Sequence, residues 1–571
     1  MIGNIIPLLL HYLLIVFCIT VGATYTFFLQ KQKPLRMCFS VYFPFHLCRI
    51  NKLKKWHKMA IHLIPRVCKM HDSISKQAKN KHKLILTIGV FFDGTGNNAS
   101  NIDASHSVCS SEYYSMSTTD ARSALAQCVL LNSGHSSTAT GSYLGYYTNI
   151  YWLSRLYTQI FSPETGYGQC AIYINGVGTE DGLSDNSFGL ATGTGETGIV
   201  KKTDMAVTRI GNELSRLLKS ERGTSPVVIE VQFDIFGFSR GAAAARHFAN
   251  RVFGQDEAIV SSLKSGLGNV ELSGMSGGKT RFIGLFDTVS AIGTPINGLN
   301  PHNADTGNVN IALRPGVAEK VFHITARHEC RFNFALNSIK PAWPELALPG
   351  AHSDIGGGYY PEEQETYFLT RPRFETVPLS MADTDTRIYR QLVEHLRMMD
   401  TYPAVAPILK CGPVKITTWY DDRMPANHYG ALQKRSGAAL TIDRLTYNDW
   451  SKVVLRVMLD AAQEAGGVFA PLDETAPDFA LSSELYELSE KARTMGRAAR
   501  NGQSFTGFTT SELQLLAGKF LHCSANWNAV VKDDGGRISG AVKPAKLITF
   551  PHRPDEHWQR TIYDMNGNKV Y

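Results

Sequence analysis

The chain has 571 residues, 43% of them hydrophobic and 19% charged, an ordinary globular composition with length enough for more than one domain. Its formal charge of +8 is concentrated at one end: residues 1–83 hold 14 Lys/Arg against one acid, Asp72, and the rest holds 44 basic against 49 acidic groups, so the mildly acidic body points to no nucleic-acid partner. The ten cysteines are scattered with no CxxC, which argues against a zinc module or a disulfide framework and for buried free thiols in a protein made in the cytosol.

Residues 5–29 (IIPLLLHYLLIVFCITVGATYTFFL) carry no formal charge and have the length of a membrane-spanning helix. The basic residues follow this run instead of preceding it, which disfavours a secretory signal and would keep the remainder in the cytoplasm. Two readings stand: an N-terminal membrane anchor, or a start placed too early, with Met37, Met59 or Met70 as the true one.

Lys83 opens the globular part. Leu84–Phe92 (LILTIGVFF) reads as a buried strand running into the turn Asp93-Gly94-Thr95-Gly96. Residues 99–145, rich in Ser, Thr, Ala and Gly, read as a surface insertion. Asn149–Ile160 has helical spacing, Ala171–Ile174 is a strand, Lys202–Lys219 an amphipathic helix and Val227–Phe236 another strand, with a helix expected from Arg240. Strands follow at Arg281–Phe286, Val321–Thr325 and Glu345–Leu348. This alternation predicts an α/β fold, a mainly parallel sheet with helices on both faces. After residue 370 helical patterns dominate (Arg387–Met399, Trp450–Ala465, Ser482–Ala499, Ser511–Cys523), and from Ala545 the chain reads as β and turn. The expected division is a basic N-terminal segment over 1–82, an α/β domain over 83–370, and a mostly helical region over 371–571.

Gly237-Phe238-Ser239-Arg240-Gly241 has the form GxSxG between a strand and a helix, the context in which a strained turn exposes a nucleophilic serine. Gly237, Gly241 and Ala242–Ala245 supply small residues where strand and helix approach. Serine needs a base and an orienting acid, which in α/β-hydrolases follow it in the order acid, then histidine. Asp287, at the end of one apolar strand, and His352, in a glycine-rich turn after another, fit that order. Asp354 and Asp234 are rival acids, and His247, His323 and His328 rival bases. The oxyanion needs backbone N–H donors, expected from Arg240 and from the turn after the first strand, where Gly94 is the candidate. The DGT sequence at 93–95 is no phosphotransferase motif, because Phe91 stands where the nucleophilic aspartate would be. The glycine-rich stretches lack a following Lys-Ser/Thr, and no HExxH or EF-hand loop is present. No cofactor is required by this chemistry, and calcium dependence is left open.

VFFDGTGNN (90–98), YINGVGT (173–179), DIFGFSRGAAAARHF (234–248), FIGLFDTVSAIG (282–293) and LPGAHSDIGGGYYP (348–361) together resemble an α/β-hydrolase domain family that includes type VI secretion lipase effectors, and within it the first class of antibacterial phospholipases. The resemblance spans roughly residues 84–361. It implies Ser239 as nucleophile, Asp287 as acid and His352 as base in a phospholipase A acting on glycerophospholipids. It further implies a secretion spike protein and a cognate immunity protein as partners, delivery to the periplasm of target bacteria, and a membrane-engaging role for residues 371–571. The alternatives are an esterase acting on another acyl substrate and a non-catalytic, membrane-associated interaction protein.

Overall fold

In the computed structural model the apolar run after Lys83 forms strand β1 (Lys83–Phe92), buried throughout beyond Ile85. A strand covered on both faces carries apolar residues consecutively instead of alternately, which is why this run shows no period-two pattern. The structure describes residues 83–105, 142, 145–219, 227–293, 302, 304–411, 414–527, 530–532, 538–541, 552–555 and 557–570. The apolar stretch 5–29, with the choice between anchor and later start, lies outside them, as does most of the insertion at 99–145.

β1 is flanked by β3 (Tyr167–Ile174) and β4 (Val227–Phe238). The sheet continues through β6 (Lys279–Phe286) and β7 (Lys320–Ala326) to β9 (Glu345–Leu348), all parallel. β2 (Ile160–Ser162) adds an antiparallel edge, and the short β5 (Glu271–Leu272) pairs in parallel with the start of β4; the order is β2-β3-β1-β4-β6-β7-β9. Alternate residues feed two cores. Leu86, Ile88, Val90, Ile283 and Leu285 pack under helices α2 (Ile199–Lys219), α3 (Arg240–Phe253) and α4 (Glu257–Leu267).

On the other face Phe91, Phe236, Phe282, Phe286 and Ile324 meet α1 (Asn149–Leu156), α7 (Asp449–Glu464) and α8 (Tyr486–Arg500). Helices from beyond residue 370 therefore form one layer of the sheet's cover. Gly284 of β6 shows how close they come: a Cβ there would lie 2.8 Å from the sulfur of Met458. Trp450 at the start of α7 is fully buried, a contribution of about 1.5–3 kcal/mol for a large side chain. Its indole N–H donates to Pro349 O (2.7 Å), tying α7 to the turn after β9.

The region after residue 360 also contains an antiparallel sheet that periodicity did not reveal. The 15-residue β13 (Gln433–Tyr447) is its centre, with β10 (Glu362–Phe368) and β11 (Arg373–Pro378) along one edge and β12 (Val414–Asp421) along the other. β10 reads EEQETYF, too charged to signal a strand; pairing with β13 makes it one. Helix α6 (Arg387–Met399) matches its expected bounds, and α9 (Thr510–Lys519) opens with a Thr509/Glu512 capping box. His82–Tyr571 form one unit and Met1–Lys81 another, of which no residue is described. Among the described residues no helix is long and apolar enough to cross a membrane.

Candidate active site

Parallel strands end on the same side of a sheet, so residues far apart in sequence meet where the carboxyl ends of β1, β4, β6 and β9 point. Asp93, Ser239, Asp287 and His352 follow these four ends.

Ser239 joins β4 to α3 with φ 58° and ψ −127°, a conformation that costs a non-glycine residue about 1–3 kcal/mol. The flanking glycines are required by contact. A Cβ on Gly237 would lie 2.4 Å from Gly241 O, and one on Gly241 would lie 2.2 Å from Asp93 O. Ala242–Ala245 are buried against the sheet, as their size requires. Ser239 N donates to Phe286 O (3.1 Å), so the turn is held by the neighbouring strand β6.

The loop after β1 passes on the other side of the turn. Gly94 lies against the Phe238 ring, and Arg240 Nε donates to Thr95 Oγ1 (2.8 Å) while Nη2 donates to Leu190 O (2.6 Å). Sequence pointed to Gly94 as a donor, but its N–H is occupied: it donates to the Asp93 carboxylate at 2.6 Å. The N–H groups of Thr95 and Arg240 have no acceptor among the described residues. Burial raises the Asp93 carboxyl to about 6, against the lowering effect of hydrogen bonds from Thr148, Tyr173 and Gly94.

Asp287 turns out of β6 with φ 41° and is fully buried. Its N–H donates to Ile324 O, and its Oδ1 accepts from Ala326 N (2.9 Å), both on β7. Its Oδ2 is hydrogen-bonded to Nδ1 of His352, the first residue of the short helix α5 (His352–Gly356). The Phe238 and Phe334 rings lie 4.6 and 5.0 Å from the imidazole, which fixes its plane. No hydrogen bond joins Ser239 to His352 here; such contacts often close only around substrate. Burial favours a neutral imidazole and lowers the pKa of His352, although Asp287 pulls the other way.

Three charged residues that carried no sequence signal surround this pair. Glu329 is buried, accepts from His352 N (3.2 Å) and Ser524 Oγ (3.0 Å), and is bridged by Arg331 (2.8 Å). Arg560 donates to both Asp287 oxygens, at 2.7 and 2.8 Å. Burial would raise the Asp287 carboxyl, but Arg560 and His352 overcome it and hold the group well below the usual carboxylate range.

The rival residues are engaged elsewhere. Asp234 pairs with Arg281 and accepts from Tyr157, and Asp354 pairs with His522. His323 bonds Thr288 and Glu345, His328 accepts from Gly350 N, and His247 from Asn310 N. Among the described residues no group of three or more His, Cys, Asp or Glu side chains could hold a metal ion.

Residues 271–382 match the family described as T6SS, Phospholipase effector Tle1-like, catalytic domain, a span that includes Asp287 and His352 and begins after Ser239. The chain is similar to the Tle1 effector in the solved structure of that effector bound to the VgrG spike from the Type 6 secretion system. Identity is 41% and the TM-score 0.67, over 85% of this chain and 95% of that one. A likeness to an uncharacterized protein from Pseudomonas aeruginosa, with 16% identity and a TM-score of 0.32 over 79% of this chain and 54% of that one, carries no argument. No curated protein matches the chain.

Proposed function

Because the chain belongs to the Tle1-like phospholipase effectors of the type VI secretion system, we propose that it hydrolyses acyl esters of membrane glycerophospholipids as a phospholipase A, with Ser239 as nucleophile, His352 as base and Asp287 as orienting acid. The observation that carries this assignment is the buried Asp287–His352 hydrogen bond, set against a positive-φ serine at the end of the central strand.

Ser239 Oγ attacks the ester carbonyl as its proton passes to His352 Nε2. Asp287 holds the Nδ1 proton and stabilises the imidazolium. The oxyanion takes hydrogen bonds from the Arg240 and Thr95 N–H groups. Collapse expels the glycerol oxygen, which receives the proton from His352, and the acyl group stays on Ser239. Water, deprotonated by the same imidazole, then releases the fatty acid and restores Ser239.

The relative's structure holds a spike protein, and on that basis this chain is proposed to travel on a type VI spike into the periplasm of target bacteria. There it meets phospholipid membrane, and a producing cell requires an immunity protein. Purified protein should release fatty acid from phosphatidylethanolamine–phosphatidylglycerol vesicles and Ser239→Ala should not. Equal release by the variant overturns the mechanism. Hydrolysis of short-chain esters without release from vesicles overturns the lipid assignment.

A further inference from the structure

The last described residues lace onto the segment that follows β7. Phe332 N donates to Arg553 O, Leu336 N to Thr561 O and Ser338 N to Tyr563 O, and Asp555 N donates back to Cys330 O, all within 2.8–3.0 Å. Ile562–Tyr563 run parallel to β8 (Leu336–Asn337). This strap places Arg560 in the site: Nε donates to Phe334 O (2.6 Å) and the two terminal nitrogens span the Asp287 carboxylate, with the side chain only 6% exposed. A guanidinium fork on both oxygens fixes the carboxylate plane as well as its charge.

We propose that Arg560 is a positioning residue of the proposed hydrolase: it locks Asp287 in the orientation that holds His352 Nδ1, and its charge offsets the buried carboxylate. The inference rests on the triad assignment and extends it to the C-terminal strap, making the end of the chain part of the catalytic assembly.

The charges facing His352 agree with this role. Asp287 reaches it from β6, Glu329 and Arg331 from the segment after β7, and Arg560 stands behind Asp287. Asp354 of α5 is turned to His522. His328 and His552, both brought to about 4 by burial, are neutral. With Arg560 present, Asp287 has a permanent cation and does not depend on a protonated imidazole for charge balance. Removing it leaves imidazolium as the main countercharge, which must raise the pH at which His352 loses its proton.

The test is the pH profile of kcat/KM on a soluble ester for wild type, Arg560→Gln, Arg560→Lys and Ser239→Ala, with thermal melts to verify folding. Arg560→Gln should move the acid limb up by about one unit or more, with kcat reduced about tenfold. Arg560→Lys keeps the charge but not the fork, so its acid limb should stay near wild type while kcat falls several-fold and KM holds. A folded Arg560→Gln whose profile superimposes on wild type overturns the proposal. If that variant does not fold, an Arg560→Lys with unchanged kcat overturns it instead. An active wild type and inactive Ser239→Ala beside a silent Arg560→Gln would refute the role of Arg560 alone; an inactive wild type, or an active Ser239→Ala, would refute the hydrolase assignment and this inference with it.

Discussion

The carbonyl oxygen of Asp93 occupies the space beside Gly241 where a side chain would stand, 2.2 Å from an ideal Cβ. The Ser239 turn and the loop after β1 are thereby locked at backbone contact, on the side where Arg240 Nε donates to Thr95 Oγ1. Gly241→Ala must push these segments apart. We expect it to lower stability by about 1–3 kcal/mol, the range for overpacking, and to reduce esterase activity by more than the fraction unfolded explains. Urea titration and steady-state rates check this; a variant with wild-type values for both would show that the contact does not matter.

Ser239 is held at φ 58°, which glycine adopts without penalty. Ser239→Gly should therefore raise stability by about 1 kcal/mol while abolishing hydrolysis. A lower melting temperature than wild type would mean that the turn is not strained.

Asp234, a rival acid in the sequence, has its carboxylate buried and bridged by Arg281 with Nε at 2.9 Å. Arg281→Met should cost about 3–5 kcal/mol by stranding that charge, and Asp234→Leu combined with Arg281→Met should recover most of it. The double variant should hydrolyse esters at the wild-type rate when folded. Loss of kcat in a folded double variant would return Asp234 to the list of candidate acids.

Asp93 gives stability a pH dependence. Its carboxyl is raised from 3.8 to about 6 by burial, so the folded state holds the proton more tightly than the unfolded one. The resulting stabilisation is complete below pH 3.8 and is lost as pH rises through about 6. At pH 7 Asp93→Asn should gain relative to wild type, by on the order of 3 kcal/mol at most compared with the same difference at pH 4. Melts of both proteins from pH 4 to 7 read this directly; parallel curves would refute it.

Sequence by itself determined the layered α/β class, the strands β1, β3, β4, β6, β7 and β9, and which residues stand at their ends, Ser239, Asp287 and His352 among them. Burial on both faces writes a continuous apolar run into the chain, and a tight turn demands glycine at particular positions; both are local signals. The β10–β13 sheet escaped because its strands are made by pairing and not by pattern. Gly94 was the candidate donor in the sequence, but only the folded chain shows its N–H turned to Asp93 and the Thr95 N–H without an acceptor among the described residues. Arg560 is 273 residues from Asp287 in a segment with no motif. An ion pair across that distance has no local periodicity to betray it, so only the tertiary structure decides that the end of the chain stands behind the proposed catalytic acid.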